Sequence, residues 1–129
     1  MNTRQYLKDS ARTNGHFPEE TPMEAHQMHL IHAAMGLTSE AGEFADNIKR
    51  HIFYGTPIDY RNLEEEIGDM CWYMALALRE IGSDFEQVLE MNIAKLQERY
   101  PHKFDNDRAV KRDLEKEKNA MISKKDFAN

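Results

Sequence analysis

Cysteine, proline and glycine are all scarce in this chain of 129 residues, with one, four and six copies respectively. The lone Cys71 excludes an intramolecular disulfide and a cysteine-cluster zinc site. Its neighbours in Met70-Cys71-Trp72-Tyr73-Met74 are apolar, so a small buried hydrophobe is expected there rather than a reactive thiol. No apolar run approaches the roughly 20 residues that cross a bilayer, and the N-terminus lacks the charged-then-apolar layout of a secretory signal. A cytoplasmic protein with no membrane association is expected. Basic residues are the minority, 17 against 23 acidic ones, for a net charge of −6. That balance argues against a nucleic-acid polymer held by phosphate neutralisation. It leaves nucleotides admissible, because bound cations can supply positive charge. Two motifs are also missing. There is no Gly-x-x-x-x-Gly-Lys-Ser/Thr loop, which excludes a P-loop ATPase, and no Glu-x-x-His, which counts against a helical di-iron site.

What is present is helical periodicity. The length suits one domain spanning 1–129 with a single hydrophobic core. A short helix is expected over about 3–12, then a loop through Asn14-Gly15-His16-Phe17-Pro18. Thr21-Pro22-Met23-Glu24 reads as a helix start, with Thr21 as cap, Pro22 at the first position and Glu24 completing a capping box. Apolar residues then recur from Met28 to Ile52, with Gly36 as a possible kink, until Gly55-Thr56-Pro57. The next helix is expected from about Asn62 to Ile81, burying Leu63, Ile67, Met70, Met74, Ala77, Leu78 and Ile81, with Gly82 as its stop. Ser83-Asp84-Phe85-Glu86 opens another, closed by Tyr100-Pro101. The core therefore covers about 22–101. A charged helix over about 107–119 has little to bury and is expected to pack on a partner chain or fray. The fold class is all-α, an antiparallel helical bundle.

Two carboxylate pairs carry the chemistry. Glu40-Ala41-Gly42-Glu43 places acids three apart, and Glu66-Ile67-Gly68-Asp69 repeats the spacing. Positions i and i+3 share a helix face, so each pair can converge on one point. Four carboxylates on packed helices repel one another unless cations intervene. Hard oxygen ligands suit Mg²⁺ or Mn²⁺, not zinc. Gly42 and Gly68 sit in helix interiors, where glycine costs about 1 kcal/mol relative to alanine, and close helix approach or room for a ligand would account for them. The bland alternative is that such pairs only decorate solvated faces. Two similarly built pairs, each beside a helix glycine and apolar neighbours, favour the metal site.

These pairs, with 22 residues between Glu43 and Glu66, resemble the ExxE…ExxD signature of the MazG-like all-α nucleotide pyrophosphatases. The strings Gly36-Leu37-Thr38-Ser39-Glu40 and Asp69-Met70-Cys71-Trp72-Tyr73 are similar to that family in detail, as is Asn92-Ile93-Ala94-Lys95 through Tyr100-Pro101. The resemblance covers about residues 28–115. It implies cleavage of a nucleoside triphosphate between the α- and β-phosphates, giving a monophosphate and pyrophosphate. It further implies Mg²⁺ (or Mn²⁺) held by Glu40, Glu43, Glu66 and Asp69 as metal-binding and catalytic residues, and a homodimer or homotetramer.

Supporting residues follow. Lys49, six positions after Glu43, can reach a phosphate, and the resemblance assigns Asn92 and Lys95 to the phosphates or metal surroundings. Arg99 continues that face four residues on. Tyr73, four after Asp69, can flank the base. Trp72 is turned away, toward core or subunit interface. His26, His29 and His32 form a stripe that suits a polar face beside the core better than a transition-metal site. Two rivals stand: phosphoribosyl-ATP pyrophosphohydrolase or a deoxynucleotide diphosphatase on the same helix plan, and a non-catalytic helical interaction module.

Overall fold

The computed structural model describes residues 2–13 and 23–125, and these form helices with no strand. In order they are α1 (Thr3–Ala11), α2 (Ala25–Tyr54), α3 (Tyr60–Glu80), α4 (Phe85–Arg99), α5 (Asn106–Val110) and α6 (Leu114–Lys125). None is long and apolar enough to cross a membrane.

Short polar side chains start these helices by accepting orphan backbone N–H groups. Asn2 accepts from the Gln5 N–H, Asp59 from Asn62, Asp84 from Gln87 and Asp105 from Arg108. The Thr21-Pro22 start expected for α2 lies outside the described residues, as do Asn14–Pro18. At the described start, Glu24 caps α2, in a reciprocal box with Gln27. The cap at Asp59 begins α3 at Tyr60, two residues before the expected Asn62, and the cap of α4 is Asp84 rather than Ser83. Gly55 and Gly82 end α2 and α3 with φ of 69° and 65°, a left-handed turn that a side chain would oppose.

The α2–α3 hairpin is one packed unit, and α4 against α6 is the other. In the hairpin Ala33 and Leu76 are buried. Gly36 is buried too, and α2 runs unbroken through it instead of kinking. Its role is clearance: a Cβ there would run into the Tyr73 ring. Close approach therefore belongs to Gly36. A Cβ on Gly42 or Gly68 would meet nothing within 4 Å, so of the two expected reasons for these glycines close helix approach is not met and open space is what they border.

Three other expectations are overturned. The charged C-terminal segment is two helices, and α6 packs on α4 of its own chain. It does so because Glu117, 3 % exposed, takes Arg99 at 2.8 and 2.6 Å and Arg112 at 2.7 Å. The expected apolar stripe of α3 is split: Ile67, Met74 and Ile81 are exposed and Leu63, Met70, Ala77 and Leu78 half-buried, while Leu76 and Glu66 are the buried residues. Cys71, between Ile67 and Met74 on that stripe, is exposed as well. Helix α3 meets α2 through the face carrying Glu66, Tyr73 and Leu76, whose spacing of seven and three is equally helical.

Candidate metal centre and cleft

The hairpin brings its acids together near its open middle. One oxygen each from Glu40 and Glu43 on α2 and Glu66 on α3 lies within 4.8 Å of the others. Glu43 is exposed, Glu40 half-buried, and Glu66 only 4 % exposed. Asp69, the fourth expected ligand, stands outside this triplet but acts on Glu40 through its charge. The Glu40 carboxyl is held above its ordinary range, by loss of water first, then by the Glu43 charge, a hydrogen bond with Glu66 and the Asp69 charge. The donor set fits a hard divalent cation, which takes carboxylate oxygens and would relieve that repulsion.

Two asparagines that sequence reasoning missed join the cluster to the turn. Asn62 Nδ2 donates to Glu66 Oε1 at 2.7 Å, and Asn47 Nδ2 donates to Asn62 Oδ1 at 2.9 Å. Asn47 in turn meets the backbone of Asp59 on both sides. Asn47 lies four residues after Glu43, and Asn62 four before Glu66, so helical spacing from the acids was the available signal.

Beside the cluster opens a cleft of about 770 Å³ between the second half of α2, the turn and the start of α3. Its wall includes Glu43, Asn47, Asn62 and two cations, Arg50 and Arg61, which sequence reasoning also missed. Arg50 is seven after Glu43, on the same face. The volume lies in the usual range for small-ligand sites, roughly 300–1,000 Å³.

The other expected substrate residues are placed differently. Lys49 is paired with Asp46, whose carboxyl drops below its usual range through that hydrogen bond. Tyr73 is half-buried over Gly36, one turn from Glu40, with His32 and Trp72 edge-on at ring distances of 5.5 and 4.9 Å. Trp72 itself is exposed. His29 bonds Glu80 at 2.7 Å, so the histidine stripe is divided between separate partners. Asn92 and Lys95 lie on α4, whose extensive packing is with α6. Arg99 is committed to Glu117.

The MazG nucleotide pyrophosphohydrolase domain model matches residues 30–104, from α2 beyond the end of α4. The chain belongs to this family. Both acid pairs, the asparagines and the cleft fall inside the matched MazG region. A relative, Gene 37 protein of Mycobacterium phage L5, is 32 % identical over 74 residues, covering 54 % of this chain and 65 % of that protein. The chain thus spans just under two thirds of that relative's length. No solved structure gives a significant match.

Proposed function

We propose that the chain is a Mg²⁺-dependent nucleotide pyrophosphohydrolase that splits a ribo- or deoxyribonucleoside triphosphate between the α- and β-phosphates. Products are the monophosphate and pyrophosphate. The observation that carries this reading is the convergence of Glu40, Glu43 and Glu66 beside a cleft that also presents Arg50 and Arg61. Glu40, Glu43, Glu66 and Asp69 would hold Mg²⁺, with Mn²⁺ as a substitute. When bound, such an ion neutralises phosphoryl oxygens and lowers the pKa of a bound water.

The chain's own groups do the rest. Arg50 and Arg61 draw phosphate oxygens into the cleft from its two walls. Glu43, the exposed member of the cluster, takes up the proton of the attacking water. Lys49 adds positive charge at the rim, and Tyr73 supplies an aromatic surface one turn from the cluster. Asn92 and Lys95 enter through assembly: within one chain α4 packs on α6, so a second copy brings them to the cleft. A homodimer or homotetramer accords with the apolar stripes left exposed on α2, α3 and α4.

The test is a panel of nucleoside tri- and diphosphates with Mg²⁺, assayed for pyrophosphate and orthophosphate separately. Pyrophosphate release is expected, and Glu43→Gln is expected to lower kcat roughly 100-fold or more, equivalent to about 2.7 kcal/mol. Orthophosphate as the first product, or full activity in Glu43→Gln, counts against the reading.

A further inference from the structure

An asparagine amide can be turned over without changing shape, so its donor end must be set by its partners. Asn62 presents its donor end to Glu66, at 2.7 Å from Oε1. What sets it can be traced. The Asp59 backbone N–H donates to Asn47 Oδ1 at 3.3 Å, and the Asp59 carbonyl accepts from Asn47 Nδ2 at 3.0 Å. The backbone of one residue has one N–H donor and one C=O acceptor, which cannot exchange places, so Asn47 has one orientation. The second Asn47 N–H goes to Asn62 Oδ1 at 2.9 Å, which leaves only the Asn62 NH₂ to face Glu66. Donor polarity thus passes from the α2–α3 turn through two amides to a carboxylate that is 4 % exposed. Asp59 also sets the height of Asn62, because its side chain caps α3 by accepting the Asn62 N–H at 3.1 Å.

The simpler alternative is that the two asparagines only staple the helices together. That alternative does not call for the chain to end on a member of the acidic triplet, nor for backbone groups to fix the orientation of its first amide.

We propose that Asn62 and Asn47 are positioning residues that hold the Glu66 carboxylate in one orientation toward Glu40 and Glu43 for a divalent cation. This rests on the metal-site reading above, and one experiment separates the two. Metal-free wild type, Asn62→Ala, Asn47→Ala and Glu66→Gln are titrated with Mn²⁺, free ion being followed by electron paramagnetic resonance. Asn62→Ala is expected to weaken Mn²⁺ binding roughly 10–100-fold, the usual effect of losing a partner that orients a ligand. Asn47→Ala weakens it less, because Asn62 stays but its amide can turn. The half-saturating Mg²⁺ for turnover rises in parallel. A stapling role would instead lower the thermal midpoint of the metal-free protein and leave the Mn²⁺ affinity of the folded fraction unchanged. Wild-type Mn²⁺ affinity in either folded asparagine variant overturns the positioning role and leaves the metal site standing. Absence of Mn²⁺ binding by the wild type overturns both.

Discussion

Glu40 shares a space of 4.8 Å with Glu43 and Glu66, and its carboxyl is raised by lost hydration, then by Glu43 and the remaining acids. A folded-state pKa above the unfolded value means that ionising Glu40 opposes folding of the metal-free chain. The penalty appears as pH rises through the raised value and is relieved as pH falls below it. A cation at the cluster opposes the same repulsion. Glu40→Gln is therefore expected to raise the thermal midpoint of the metal-free protein at neutral pH. It should also shrink the stabilisation that Mg²⁺ confers, which for the wild type is about 2.7 kcal/mol at one hundred times Kd. Thermal denaturation with and without Mg²⁺ measures both, and a lower metal-free midpoint in Glu40→Gln sinks the argument.

Among the elements, α6 depends on one acid. Glu117 is buried between Arg99 and Arg112, and their hydrogen bonds, Arg99 foremost, hold its carboxyl down at about 2 against an ordinary 4.5. With the folded pKa depressed, the contribution is complete above 4.5 and lost as pH falls from there through about 2. A circular dichroism titration should show helix loss in that window for the wild type. Glu117→Gln should show part of the loss already at neutral pH, because two guanidinium groups lose their charged partner. An unchanged acid profile in the variant would remove Glu117 as the tether. The same pairing explains why Arg99, despite its spacing from Lys95, is engaged away from the carboxylate cluster.

For the whole molecule, the exposed apolar residues have an order. Ile67, Met74 and Ile81 recur every seven residues on α3, with Cys71 between them, while Leu89 and Ile93 line α4 and Met28, Ile31 and Met35 line α2. Stripes at helical spacing are what helix-on-helix association buries. Ile67→Glu is expected to shift the protein to monomer by light scattering after size exclusion. If the proposed homo-oligomer covers this stripe, the Cys71 thiol should then react with a maleimide several-fold faster than in the wild type. A wild type that is already monomeric, or equal Cys71 rates in both proteins, contradicts the assembly.

The all-α class and the helix limits near Gly55 and Gly82 were legible in the chain, because caps, breaks and apolar spacing act within a few residues. So was the shared face of Glu40 and Glu43, since spacing on one helix is local geometry; that Glu66 joins them from α3 while Asp69 stands outside was decided by the pairing of the two helices. Which stripe of α3 faces α2 was not legible: Ile67-Met74-Ile81 and Glu66-Tyr73-Leu76 are both helical, and the choice falls to Gly36, which seats the Tyr73 ring. The same holds for Cys71, whose apolar neighbours say nothing of the direction it faces. Asn47 and Asn62 lie 15 residues apart, and their amides meet only because the turn folds α3 back along α2. The acids that opened the case could be read from spacing alone. The amides that orient Glu66 and the arginines that complete the cleft came from pairing two helices, since periodicity places a residue on a face but does not choose that face's partner.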